Sequence, residues 1–193
     1  MKIRGTLVLS VALCSVLMGA GFCQSGSATV PETAFISADR YTNAFFGFSL
    51  PLPQERDFHA ARVKSSDNER YVFALGRAEG NTTIVISAKP MNGADAETLM
   101  RAAPQIWLHG MEFGKGTSQQ KTPAGKVWKA TYLTVIDSYL LEFNIQSNDQ
   151  SVVKELERCV EEIRFFDPSK ARAVAGPNSV EYKSPPPDRA QHR

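Results

Sequence analysis

Apolar side chains recur at every second position through most of the stretch from Phe46 to Gln146, and at every third or fourth position through two others. In YTNAFFGFSLPLP (41–53), Phe46, Phe48, Leu50 and Leu52 alternate with Gly47, Ser49 and Pro51, the pattern of a half-buried strand. Pro51 and Pro53 lack amide donors, which places this strand at a sheet edge or makes it end there. Asn43 predicts a turn back onto the Tyr41 side. RYVFALGRAEG sets Tyr71, Phe73 and Leu75 on one face, EGN at 79–81 reads as a turn, and TTIVISA returns with Ile84, Ile86 and Ala88 inward: a hairpin. TSQQKT, a PAG turn at 123–125, KVWKATYLTV, a turn at Asp137-Ser138 and YLLEFNIQS predict an antiparallel meander, with Leu141, Phe143 and Ile145 on its inner face.

Two segments switch to the helical period. In GADAETLMRAAPQIWLHG, Leu99, Ala103, Ile106 and Gly110 form a stripe flanked by Met100 and Trp107. Asp95 is the expected N-cap, and Pro104 should kink or split the helix because it removes a backbone bond. In SNDQSVVKELERCVEEI, Val152, Leu156, Cys159 and Ile163 share one face, and Asn148 or Asp149 can cap it. Glu155, Glu157, Arg158 and Glu161 are expected to face water, and IRFF to end the domain as a short strand or loop. The order of hairpin, hairpin, helix, meander and helix predicts a single α+β domain over residues 39–166, an antiparallel β-sheet packed against helices. A domain of that size buries about two-thirds of its unfolded surface.

The two ends differ from this middle. Residues 1–28 open with Lys2 and Arg4, continue apolar from Leu7 to Met18, and then turn small. That is the layout of a signal peptide with cleavage after Gly21 or Ala28; the apolar run is short for a membrane span. Export, to the periplasm or outside the cell, is the expectation, with no transmembrane span left after cleavage. Cys23 just past the apolar run offers a lipid anchor as the alternative, although Phe22 stands where a small residue belongs. Residues 29–38 read as a flexible leader, and residues 167–193, with Pro185–Pro187, as a disordered proline-rich tail. With Cys14 removed and Cys23 at most in a stub, Cys159 is the thiol of the folded part, so no disulfide framework is expected.

Composition narrows the partners. The 193 residues carry 22 basic and 20 acidic side chains; removing Lys2 and Arg4 with the leader leaves a neutral chain. Neutrality gives no reason to expect nucleic acid or an anionic surface as partner.

The segments YTNAFFGFSLPLP, TTIVISAKP and YLLEFNIQSNDQSVVKELERCVEEIRFF, together spanning residues 39–166, resemble the PsbP-like fold family. That family includes a photosystem extrinsic protein, a Ran-binding nuclear transport factor and many exported bacterial proteins. The resemblance implies an antiparallel sheet between helices, an α/β sandwich often used to bind a protein partner. It carries no catalytic or metal-binding residue onto this chain.

The residues themselves offer little chemistry. His59, His109 and His192 stand in no paired spacing, so no metal site is expected. GMEFGKGT (110–117) has three residues where a phosphate loop needs four and follows a helical pattern. No GxSxG elbow is present. Cys159, on the apolar stripe, reads as a buried, unreactive thiol. Trp128 and Tyr132 share one strand face, with Trp107 as a third aromatic; the three read first as core and second as a ligand-binding floor. The expectation is therefore an exported, non-enzymatic domain without a cofactor that binds a protein or cell-envelope partner. The alternatives are a carrier of a small apolar ligand and an enzyme with an unrecognised site.

Overall fold

The period-two segments close into two antiparallel sheets rather than one. The structure, a computed structural model, describes residues 33–54, 58–60, 70–77, 81–123 and 125–183. The larger sheet runs, from edge to edge, β4 (His59–Ala60), β5 (Arg70–Arg77), β6 (Thr82–Pro90), β10 (Tyr139–Ser147), β9 (Gly125–Ile136), β8 (Met111–Thr122) and β7 (Gln105–Leu108). The smaller runs β11 (Arg164–Phe165), β3 (Phe48–Pro51), β2 (Arg40–Asn43), β1 (Thr33–Ile36) and β12 (Val180–Lys183). Among the described residues three α-helices accompany the sheets: α1 (Gly93–Arg101), α2 (Gln150–Glu161) and α3 (Ala171–Ala175).

The central register places the predicted inner faces together. Phe143 stands between Ile86 on β6 and Tyr132 on β9, and Ile145 between Ile84 and Ala130. All six are buried on the side that meets the smaller sheet and α2. Aromatic rings bridge the two sheets: Tyr41 stacks on Phe73 at 4.2 Å between centroids, and Phe48 meets Phe143 edge-on at 5.8 Å. Such pairs add about 1 kcal/mol each to their burial. Val152, Val153, Leu156 and Val160 of α2 complete this core. On the opposite face of the larger sheet α1 seats Ala96 and Met100, and Gly114 lets it come close, since a Cβ there would lie 3.1 Å from that of Ala103.

The aromatic segment at 41–53 forms the β2–β3 hairpin, with a capped turn, and it lies inside the smaller sheet rather than at its edge: β2 pairs with β1, and β3 pairs with β11 through Phe48 and Ser49, so Pro51 ends the strand instead of marking an edge. Asn43 Oδ1 accepts from the amides of Phe45 and Phe46 at 3.0 and 2.9 Å, and its Nδ2 donates to the Tyr41 hydroxyl at 3.0 Å. Gly47 has φ +63°, and a Cβ there would fall 2.3 Å from the Phe166 carbonyl oxygen. Only glycine satisfies both conditions.

Several sequence expectations need correction. The helix expected over 93–110 stops at Arg101, and Gln105–Leu108 is strand β7. Pro104 cannot continue the helix, and its carbonyl instead accepts from the Lys115 amide at 2.8 Å. Leu99, placed on the buried stripe, is exposed, while Met100 is buried. The N-cap of α1 is Asn92, whose Oδ1 accepts from the Asp95 amide at 2.9 Å; the Asp95 carboxylate in turn accepts from Asn92 Nδ2 at 2.7 Å. His109 and Gly110, at φ +48° and +87°, make the turn between β7 and β8.

The supposed leader and tail pair with each other. Thr33–Ile36 is β1 and aligns Ala34 with Tyr182 and Ile36 with Val180 of β12. Between residue 166, where the domain is expected to end, and that strand lie a 3-10 turn at Pro168–Lys170 and α3, whose Ala171 and Ala175 bury against Phe35. Arg172 lies over the Phe35 ring at 5.2 Å. Few apolar residues suffice because partners more than a hundred residues away supply the backbone bonds and the surface. The expected signal sequence with Cys14 and Cys23, and the tail from 184 onward with Pro185–Pro187 and His192, lie outside the described residues.

Candidate functional site

β8 and β9 are each twelve residues long and outrun their neighbours. β7 pairs with β8 only from Met111 to Gly114, and β10 pairs with β9 only from Trp128 onward. From Gly116 onward β8 has no β7 partner among the described residues, and Gln120–Thr122 of β8 with Gly125–Val127 of β9 also outrun β10, so that the two strands form an arm. The first half of α2 lies over the base of this arm, held by its cap: Asp149 Oδ1 accepts from the amide of Ser151 at 2.8 Å and from its hydroxyl at 2.7 Å.

Between arm and helix is a cleft of about 370 Å³, lined by Thr117 and Gln119 of β8, Trp128 of β9, and Gln150, Val153 and Lys154 of α2. Trp128 faces Gln119 across the ladder on one side and Ser147 on the other. It is half-buried and forms the floor.

Glu157 also lines the cleft and leads into an ionic cluster at its inner end. The Lys115 ammonium donates to Glu157 at 3.0 Å and to Glu161 at 2.8 Å, and sits 5.0 Å from the centroid of the Tyr132 ring. The Tyr132 hydroxyl lies 2.9 Å from Glu161 and 3.3 Å from Glu157. Burial by itself would lower the Lys115 pKa, but its bonds to Glu161, Tyr132 and Glu157 outweigh burial and raise it. Burial raises the Tyr132 hydroxyl. For Glu161, burial acts upward and is overcome by Lys115 and Tyr132, so the carboxyl is held below its usual range. The result is a fixed arrangement of one cation, two carboxylates and a neutral phenol, each satisfied by the others. It fastens α2 to β8 and β9.

The sequence-predicted aromatics separate. Trp128 lines the cleft, and Tyr132, fully buried, closes its inner end through Glu157 and Glu161. Trp107 lies on the other face of the sheet, because Ile106 and Leu108 of β7 take the core side; it is 70% exposed. Glu157 and Glu161, expected to face water, turn to Lys115 instead. The signal for this was present: two carboxylates at i and i+4 on one helix face repel unless a cation stands opposite. Cys159, expected buried, is half-buried, and its thiol is pushed up to about 11 by burial and by Glu155 and Glu162. Among the described residues no group of three or more His, Cys, Asp or Glu side chains is close enough to hold a metal ion, and no helix is long and apolar enough to cross a membrane.

No family model matches this chain, and no curated protein matches it by sequence. Among the solved structures that match by shape are these two. One is the solution structure of the cyanobacterial PsbP (CyanoP) from Synechocystis sp. PCC 6803: TM-score 0.51 and 9% identity over 68% of this chain and 95% of that one. The other is a crystal structure at 1.50 Å from Bacteroides thetaiotaomicron VPI-5482: TM-score 0.50 and 13% identity over 68% of this chain. The match spans about half, 49%, of the length of the Bacteroides chain. At such identities the likeness is one of fold, and together with the two antiparallel sheets and three helices among the described residues it makes this a single α+β domain of PsbP-like fold.

Proposed function

We propose that this chain is an exported, non-enzymatic binding domain and that a protein or cell-envelope partner docks in the cleft between α2 and the β8–β9 arm. The observation that carries the reading is the cleft itself: a floor at the half-buried Trp128, polar walls, and an inner end where Lys115, Glu157 and Glu161 already engage one another. A half-buried tryptophan ringed by hydrogen-bonding side chains is the usual composition of a protein-docking centre. Of the side chains that line the cleft, only Trp128 and Val153 are large and apolar, which favours a polypeptide segment over a small apolar ligand. The basic and then apolar start of the sequence, Lys2 to Met18, supports export.

The test is a photo-crosslinking residue placed at Gln150, on the rim of the cleft, and in a second variant at Lys89, exposed elsewhere on the sheet. Irradiation of cells carrying the full chain should give an adduct of discrete mass from Gln150, lost on adding Trp128→Ala, and none from Lys89. Equal adducts from both positions, or none from the cleft, would remove the proposal.

A further inference from the structure

The β8 strand has an open edge beside that cleft. The Lys115 amide bonds to the Pro104 carbonyl, and β7 ends there; among the described residues nothing pairs with β8 beyond it on that side. Backbone groups alternate along a strand, so the residues in step with Lys115, namely Thr117, Gln119 and Lys121, turn their N–H and C=O outward, while Ser118 and Gln120 bond to β9. The same three residues send their side chains to the α2 side, since Phe113 and Lys115 do. Thr117 and Gln119 thus offer open backbone groups and also line the cleft.

Charge selects what fits. Lys121 stands directly opposite Lys126 on the ladder, and Lys154 of α2 lines the cleft. Like charges directly across a ladder repel. None of these three lysines makes an ion pair within the described residues, and the neighbouring carboxylates Glu157 and Glu161 are held by Lys115. Lysines on an open edge discourage a second copy of the same edge from adding, because it would bring the same charges. They attract an acidic strand.

We propose, building on the binding role assigned to the cleft, that an extended acidic segment of a partner adds as a strand to β8 along Thr117–Lys121. Its backbone takes the outward groups of Thr117, Gln119 and Lys121. Alternate side chains descend over Trp128, and its carboxylates meet Lys121, Lys126 and Lys154.

The full chain would be titrated, by fluorescence anisotropy, with a labelled octapeptide alternating valine and glutamate, and with its valine–lysine counterpart. The glutamate peptide should bind and the lysine peptide should not. Gln119→Pro removes one outward amide, which an edge strand tolerates, and should weaken binding about tenfold or more with the circular dichroism unchanged. Lys121→Glu with Lys126→Glu leaves the backbone intact and should transfer the preference to the lysine peptide. Hydrogen exchange with the glutamate peptide should slow the amides of Thr117, Gln119 and Lys121 and leave Ser118 and Gln120 unchanged. No binding, equal affinity after charge reversal, or protection without this alternation would overturn strand addition. A concentration-dependent dimer abolished by Gln119→Pro would also overturn it and assign the edge to a second copy. Cleft adducts from the Gln150 crosslinker that survive Gln119→Pro would leave the docking role standing while strand addition falls; absence of both adducts and peptide binding would remove the two together.

Discussion

Replacing Lys115 with methionine keeps the length of the side chain and removes the charge that two carboxylates share. The ammonium holds Glu157 Oε1 at 3.0 Å and Glu161 Oε1 at 2.8 Å, so the two oxygens lie within about 6 Å of each other. At an effective dielectric of about 20 their repulsion is ~3 kcal/mol, and at about 40 it is half that. The side chains are 27%, 16% and 39% exposed for Lys115, Glu157 and Glu161, so solvent screening brings the expected loss to about 1.5–2 kcal/mol at pH 7. The pH dependence identifies the cause. Glu161 has its pKa lowered in the folded chain, so its contribution is complete above its ordinary value of 4.5 and is lost as pH falls through the folded value. In Lys115→Met that contribution is absent, and protonation relieves the repulsion. The gap between wild type and variant should therefore narrow from neutral pH to well below pH 4.5. Urea unfolding followed by tryptophan fluorescence across that range measures it. A gap that stays constant with pH would show that Lys115 acts through packing of its stem, and the electrostatic reading of the cluster would fall.

Gly47→Ala places a Cβ 2.3 Å from the Phe166 carbonyl at φ +63° and should cost about 3 kcal/mol or more, read as a lowered urea midpoint. Asp149→Ala removes the acceptor for the Ser151 amide and hydroxyl at the start of α2 and should cost about 1 kcal/mol in the same assay, with Asp149→Asn recovering most of it. Cys159, with its thiol pushed up to about 11, should react with iodoacetamide at neutral pH ~100-fold more slowly than a free cysteine, in a chain whose Cys14 and Cys23 are serine. Equal rates in native and urea-unfolded chain would contradict that.

Strands β3, β5, β6, β9 and β10, the second helix and the class of fold were written locally. Period two needs only neighbouring residues to express it, and the stripe of Val152, Leu156 and Ile163 is visible in one segment. What decided the rest was contact between distant parts. Gln105–Leu108 carries a helical pattern yet becomes a strand, because Pro104 ends α1 and β8 offers a ladder. Ala171 and Ala175 look like tail composition until Phe35, far back in the chain, gives them a surface to bury. Lys115, Glu157 and Glu161 lie 42 and 46 residues apart along the chain, and no spacing rule links them; only the packing of α2 across β8 and β9 brings them within hydrogen-bonding distance. The same holds for the open edge at Thr117–Lys121. Its polar, alternating residues announce a strand, but whether a strand has one neighbour or two is a property of the assembled sheet, since hydrogen bonding between strands is set by topology and not by the residues of either strand alone.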